Sequence, residues 1–230
     1  MSQYEKAWQA VRRRVDDAVA RAGRPAGSVR LLAAAKTFPA DAIRAVYGLG
    51  QRAFGENYVQ EAAAKRDALR DLVDVEWHLI GPLQSNKTAL AAATFDWIET
   101  VDRLKVAQRL SAQRPAGMPP LDLCLEVNVS GEASKGGVAP ADALTLARAL
   151  AVLPGLRLRG VMGIPAPTAE VARQHREFGA LRACFEALRS DGLTVDTLSM
   201  GMSADLEIAI AEGATQVRIG TAIFGGRNAN

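Results

Sequence analysis

A chain of 230 residues, 49% hydrophobic and 23% charged, carries ample material for a buried core, and no Pro/Gly/Ser-rich block divides it. A single domain over residues 1–230 is expected. The net charge of +3 is too small and too scattered for a nucleic-acid binder, and neither a signal peptide nor a bilayer-spanning stretch is visible, which points to the cytoplasm.

An amphipathic helix, roughly Gln3 to Ala22, opens the chain, and Arg12-Arg13-Arg14 within it read as a solvated face. The apolar run Val29 to Ala35 is too short for a helix and reads as a strand buried on both faces; it stops at Lys36. Pro39 opens a helix through Tyr47, closed by Gly48 and Gly50. A short strand, Arg52 to Phe54, precedes an Ala-rich helix from Glu56 to Leu72. Val75 to Ile80 is the third strand, ended by Gly81-Pro82, with a helix from Gln84 to Ala93 behind it. Phe95 to Glu99 is the fourth, followed by a helix from Asp102, a possible N-cap, to Gln113. Leu121 to Val129, the fifth, runs into a glycine-rich loop, Ser130 to Gly137. A helix from Pro140 to Leu153, a strand from Leu156 to Met162 and a long helix from Thr168 to Ser190 come next. Strand Thr194 to Ser199, helix Ser203 to Glu212 and strand Thr215 to Ile219 complete the series. Strands alternating with helices in this way give an α/β fold, a single-domain (β/α)8 TIM barrel, with a doubly wound open sheet as the alternative.

Strand ends at the carboxyl edge of such a fold are where ligands bind, so Lys36 is a candidate amine for carbonyl chemistry. A lysine near its ordinary pKa of about 10.4 is almost wholly protonated at neutral pH, and apolar neighbours must strip its water before it attacks. The alternative is a lysine that merely extends to solvent. The loops after strands seven and eight are the usual phosphate position of a barrel. The first holds Met200, Gly201 and Ser203, a glycine for close backbone approach and a serine to cap the next helix; the second holds Gly220 and Thr221. An amine beside a phosphate cup suits pyridoxal 5'-phosphate, and Arg218 is placed to meet its pyridine nitrogen. A carboxylate partner at the barrel rim is the other reading of Arg218. Cys124 and Cys184 read as reduced core thiols, and His78 and His175 lack a neighbouring cluster, so no metal site is expected.

Seven stretches then carry a resemblance: Lys36-Thr37, Phe54 to Glu61, Trp77 to Gly81, Leu83 to Lys87, Asn128 to Glu132, Leu198 to Ser203 and Gly220 to Gly225. Together, and in this order, they resemble the signature of the YggS-type pyridoxal phosphate homeostasis proteins. The resemblance implies a fold-type III barrel like the N-terminal domain of alanine racemase, with the cofactor as an internal aldimine on Lys36. It further implies phosphate contacts from the stretches of Ser203, Gly220 and Thr221, a pyridine contact from Arg218, and Asn57 close to the cofactor. Ala35 and Phe38 depart from the family pattern, where serine and a polar or basic residue are common; both flank the lysine.

Racemisation needs a base on each face of the cofactor. The related racemases take one, a tyrosine, from a second domain that this sequence is not expected to have, so a monomer is expected. Of Tyr4, Tyr47 and Tyr58, only Tyr58 falls on a loop at the carboxyl edge. The expected function is therefore to bind, buffer or deliver pyridoxal phosphate, with PLP-dependent apoenzymes as possible acceptors. A slow amino-acid racemase and a class I aldolase acting on a sugar phosphate are the alternatives. Lys135 is a second amine at the same edge that could take cofactor in transit.

Overall fold

The computed structural model describes residues 2–132 and 135–226. Eight parallel strands close into a barrel in sequential order, β1-β2-β3-β4-β5-β6-β7-β8, so the barrel and not the open sheet is the fold. The strands are β1 (Arg30–Ala34), β2 (Ala53–Glu56), β3 (Glu76–Leu79), β4 (Trp97–Val101), β5 (Leu121–Glu126), β6 (Leu156–Met162), β7 (Thr197–Ser199) and β8 (Gln216–Ile219). Between them run α2 (Ala40–Tyr47), α3 (Val59–Ala68), α4 (Thr88–Thr94), α5 (Leu104–Gln113), α6 (Ala143–Ala151), α7 (Val171–Ser190) and α8 (Leu206–Ala211), with α1 (Gln3–Arg21) before the barrel and α9 (Thr221–Phe224) after it. β1 pairs with β8 from Arg30↔Gln216 to Ala33↔Ile219, which shuts the cylinder.

Two cores result from the period-two alternation of the strands. Outward-facing side chains such as Leu31, Phe54, Leu123 and Val217 pack beneath the helices in one continuous apolar layer. Inside the cylinder lies a smaller cluster of Trp97, Cys124 and Met162, with Ile164 against it. Cys124 and Cys184 are both free and buried, as read. No group of three metal-ligating side chains occurs among the described residues. Among those residues, too, no helix is long and apolar enough to cross a membrane.

Several boundaries move. β1 ends at Ala34, so Lys36 lies on the turn beyond it rather than at the strand end. Glu56 closes β2 instead of opening a helix, and α3 begins at Val59. Ser203 does not cap α8: Asp205 holds the residue before Leu206, and its carboxylate accepts from the Met202 amide at 2.6 Å. Arg14 is not a free solvated charge. Its guanidinium binds both oxygens of Glu207 at 2.9 Å and donates to the Ser203 carbonyl at 3.1 Å, tying α1 to the β7–α8 loop. Half-exposed pairs of this kind contribute less than about 1 kcal/mol. Arg14→Ala is thus expected to shift the urea midpoint only slightly, while speeding proteolysis within the loop around Ser203. Of the glycine-rich loop, Ala133 and Ser134 lie outside the described residues, as do Met1 and positions 227–230 of the expected domain.

Candidate functional site

One cavity of about 650 Å³ opens at the C-terminal mouth of the barrel, and every strand end supplies part of its wall. Lys36, Asn57, Ser203, Arg218, Gly220 and Thr221 all line it. Met200 and Gly201 do not. Met200 is fully buried in the outer apolar layer. Gly201, at φ +92°, brings the strand end so near α8 that a Cβ would stand 2.5 Å from that of Ala209. Its carbonyl instead accepts the Arg218 amide at 2.9 Å, so it shapes the loop from behind. Gly81 plays a comparable part for Asn57, whose backbone passes where a Gly81 side chain would be, 2.4 Å from the Asn57 carbonyl oxygen.

Arg218 is buried, and its guanidinium is aimed by two contacts: Nη1 donates to Ser199 Oγ at 2.7 Å and Nη2 to the Gly163 carbonyl at 2.9 Å. Among the described residues it has no direct carboxylate partner at the rim. The compensating charge lies deeper, at Glu99, which is fully buried and reached through Ser199, whose hydroxyl donates to Glu99 Oε2 at 2.6 Å. Glu99 Oε1 takes two further donors at 2.7 Å, His78 Nδ1 and Gln216 Nε2. Burial pushes the Glu99 carboxyl up, but His78, Arg218 and Ser199 together outweigh it and the net shift is downward. Burial pushes the His78 imidazole down, yet Glu76 and Glu99 carry it above its ordinary value. Burial lowers the Arg218 guanidinium, with Glu99 acting against it. His78 stacks on Trp97 at 5.0 Å between ring centres, and its Nε2 makes no hydrogen bond among the described residues, lying 3.5 Å from Glu76 Oε2. A polar chain thus runs up the inside of the barrel to the cavity floor: Glu76, His78, Glu99, Ser199, Arg218.

The other charges in the wall are Lys36, Asp102, Arg103, Glu126 and Lys135. Lys135 pairs with Glu132 at 2.8 Å. Burial, then the charge of Asp102, pushes the Glu126 carboxyl up to about 7 against the pull of Arg218. No tyrosine lines the cavity among the described residues. Tyr58 precedes α3 and is 55% exposed.

The alanine racemase N-terminal domain model matches residues 8–228. The pyridoxal phosphate homeostasis protein of Pseudomonas aeruginosa is 59% identical over 215 residues, 94% of this chain and 92% of that one. The chain belongs to the pyridoxal phosphate homeostasis protein family. Its Escherichia coli K12 member is 50% identical over 220 residues, 95% of this chain and 94% of that one. Among solved structures, PipY of Synechococcus elongatus with PLP bound superposes with a TM-score of 0.80 at 39% identity, covering 92% of this chain and all of that one.

Reading the sequence missed the deeper members of the site, Glu99, Ser199, Gly163 and Glu126. One signal was available in β4. Trp97 and Glu99 stand two apart and share the inner face, so a carboxylate in that position demands a buried partner.

Proposed function

We propose that this protein holds pyridoxal phosphate on Lys36 and serves cytoplasmic vitamin B6 homeostasis, buffering the cofactor or delivering it to PLP-dependent apoenzymes without turnover chemistry of its own. One observation carries the reading: Lys36 and the buried Arg218 share a single cavity with the Ser203 and Thr221 hydroxyls and the bare backbone of Gly220. That donor set fits the group, with an amine for its aldehyde, hydroxyls and backbone for its phosphate, and a guanidinium for its ring nitrogen. When bound, pyridoxal phosphate would supply an aldehyde carbon for the neutral Lys36 amine.

Around it, the chain's own residues would do three things. Arg218, fixed by Ser199 and Gly163, would offer N–H groups to the ring nitrogen without giving up a proton, so the ring would remain a weak electron acceptor. Asn57 lines the cavity from the β2 end, where it would meet the cofactor. Glu126, poised near neutrality, is the wall's proton-holding group. With no tyrosine in the described wall to serve as the opposed base, the racemase reading is not favoured. A monomer is the form proposed.

The test is an absorption spectrum of the purified protein with added pyridoxal phosphate, before and after borohydride, on wild type and on Lys36→Ala. A visible band discharged by borohydride, a pyridoxyl group mapped to Lys36, and loss of both in the variant are expected. A protein that stays colourless under saturating cofactor would overturn the proposal and return attention to a sugar-phosphate aldolase.

A further inference from the structure

Directly after β1 the chain reverses. The Phe38 amide donates to the Ala35 carbonyl at 3.1 Å, closing a four-residue turn with Lys36 and Thr37 at its centre. Thr37 sits at φ +68°, and it alone among the described non-glycine residues has a positive φ. A branched side chain is disfavoured there, and this turn position ordinarily takes glycine. Such a conformation persists only where its surroundings hold it.

Three contacts hold it. The Ala35 amide donates to the Gly55 carbonyl at 2.8 Å, and Phe38 stacks on Phe224 at 5.0 Å between ring centres. The third comes from the helix layer: Lys65 of α3 donates to the Ala35 carbonyl at 3.1 Å and to Glu56 Oε1 at 2.7 Å. Glu56 is fully buried at the end of β2, and the Lys65 side chain is 11% exposed. The second Glu56 oxygen has no hydrogen-bond partner among the described residues. A buried ion pair with one oxygen unsatisfied gives little net stability compared with an apolar pair of the same size. Its effect here is geometric, because one ammonium joins the ends of β1 and β2 to α3 at the carbonyl that starts the Lys36 turn.

We infer that the Lys65–Glu56 pair is a positioning device for Lys36, clamping the Ala35 carbonyl so that Thr37 stays in its left-handed conformation and the Lys36 side chain enters the cavity. The inference rests on the reading that Lys36 bears the cofactor, though the clamp on the turn is a property of the protein without it. Loss of the clamp lets Thr37 relax to negative φ and swings the Lys36 Cα–Cβ bond away from the cavity.

The test uses the full chain carrying Lys65→Met with Glu56→Gln, which leaves no lone buried charge, and the same variant with Thr37→Gly added. In cofactor-free protein, hydrogen exchange at the Phe38 amide is expected to rise at least about tenfold in the double variant, the loss of one charge-assisted hydrogen bond, while the Val161 amide in β6 is unchanged. Pyridoxal phosphate affinity, read from the visible band, is expected to fall about tenfold, with the adduct still mapping to Lys36. Thr37→Gly, which adopts the turn without strain, is expected to restore both. A merely structural pair would lower stability without moving Phe38 exchange selectively and would not be rescued by glycine. Phe38 exchange within twofold of wild type in the folded double variant overturns the inference. If wild type forms no adduct on Lys36, the cofactor reading fails separately and the exchange result alone decides the clamp.

Discussion

Glu99→Ala is expected to lower the unfolding free energy by about 3–5 kcal/mol, the usual cost of removing one partner from a buried ionic pair. The size follows from what is left behind. His78 Nδ1, Ser199 Oγ and Gln216 Nε2 all donate to this carboxylate, and His78, Ser199 and Glu99 are wholly inaccessible to water. Without Glu99, three donors are left without their acceptor and the Arg218 guanidinium loses its buried counter-charge. Against a total stability of about 5–15 kcal/mol for a domain, the loss is large enough to move a urea midpoint by about 1 M or more. Removing the demand together with the carboxylate should cost less. His78→Phe, which keeps the stack on Trp97, combined with Glu99→Leu is expected to be more stable than Glu99→Ala alone, and the cycle between them measures the coupling. A Glu99→Ala midpoint shift equivalent to under about 1 kcal/mol would show that water enters and replaces the carboxylate.

The same substitution reaches the cavity. Ser199 accepts from Arg218 while donating to Glu99, so its hydroxyl is directional only while Glu99 is there to receive the proton. With Glu99 gone, Ser199 is free to rotate and the guanidinium loses one of its two fixed supports. Pyridoxal phosphate affinity is then expected to drop about tenfold in whatever fraction remains folded.

How far the sequence disclosed this site depends on the distance over which each residue acts. Arg218 stands near the end of an apolar strand and Lys36, Gly220 and Thr221 just beyond one, and apolar runs punctuated by glycine and proline are local signals. Strand placement therefore carried them to one edge without any knowledge of partners. The Glu99 chain is different, because its hydrogen bonds join residues 21, 100 and 117 positions apart, and only barrel closure brings them together. Glu56 was misplaced for a related reason. A charge after Phe54-Gly55 looks like the start of a polar helix, and the lysine that makes its burial tolerable lies nine residues on, on the opposing layer. Ser203 looked like a cap because serine is common there, but Asp205 sits one residue before the helix and bonds the Met202 amide instead. Arg14 shows the limit of reading a charge run as solvated: its partner Glu207 is 193 positions away.

Stability is expected to fall as pH rises from about 4.5 to about 7, with Glu56 and Glu126 as the causes. Burial raises the Glu56 carboxyl from 4.5 to about 7, with Lys65 opposing and Glu61 adding slightly. Across that window the folded protein keeps a proton that the unfolded chain has already released, so the unfolded state binds fewer protons and the slope of stability against pH is negative. The full effect is on the order of 3 kcal/mol, present as added stability below pH 4.5 and gone above pH 7. Glu126, raised from 4.5 to about 7 by burial, contributes an equal share in the same direction, and the Glu56→Gln comparison isolates the Glu56 share. Glu76, held at about 2 by His78 and Arg30 against burial, acts oppositely but only below pH 4.5, so it does not mask the decline. Glu56→Gln cannot ionise. Relative to wild type, it is therefore expected to be about 3 kcal/mol better off at pH 8 than at pH 5, whatever its absolute stability at either. Urea midpoints of the two proteins at both pH values measure this directly. Parallel pH profiles would mean that the Lys65 ammonium fully compensates the buried carboxylate and that Glu56 stays ionised throughout, making the clamp on the Lys36 turn a permanent ion pair rather than one that completes its charge near neutrality.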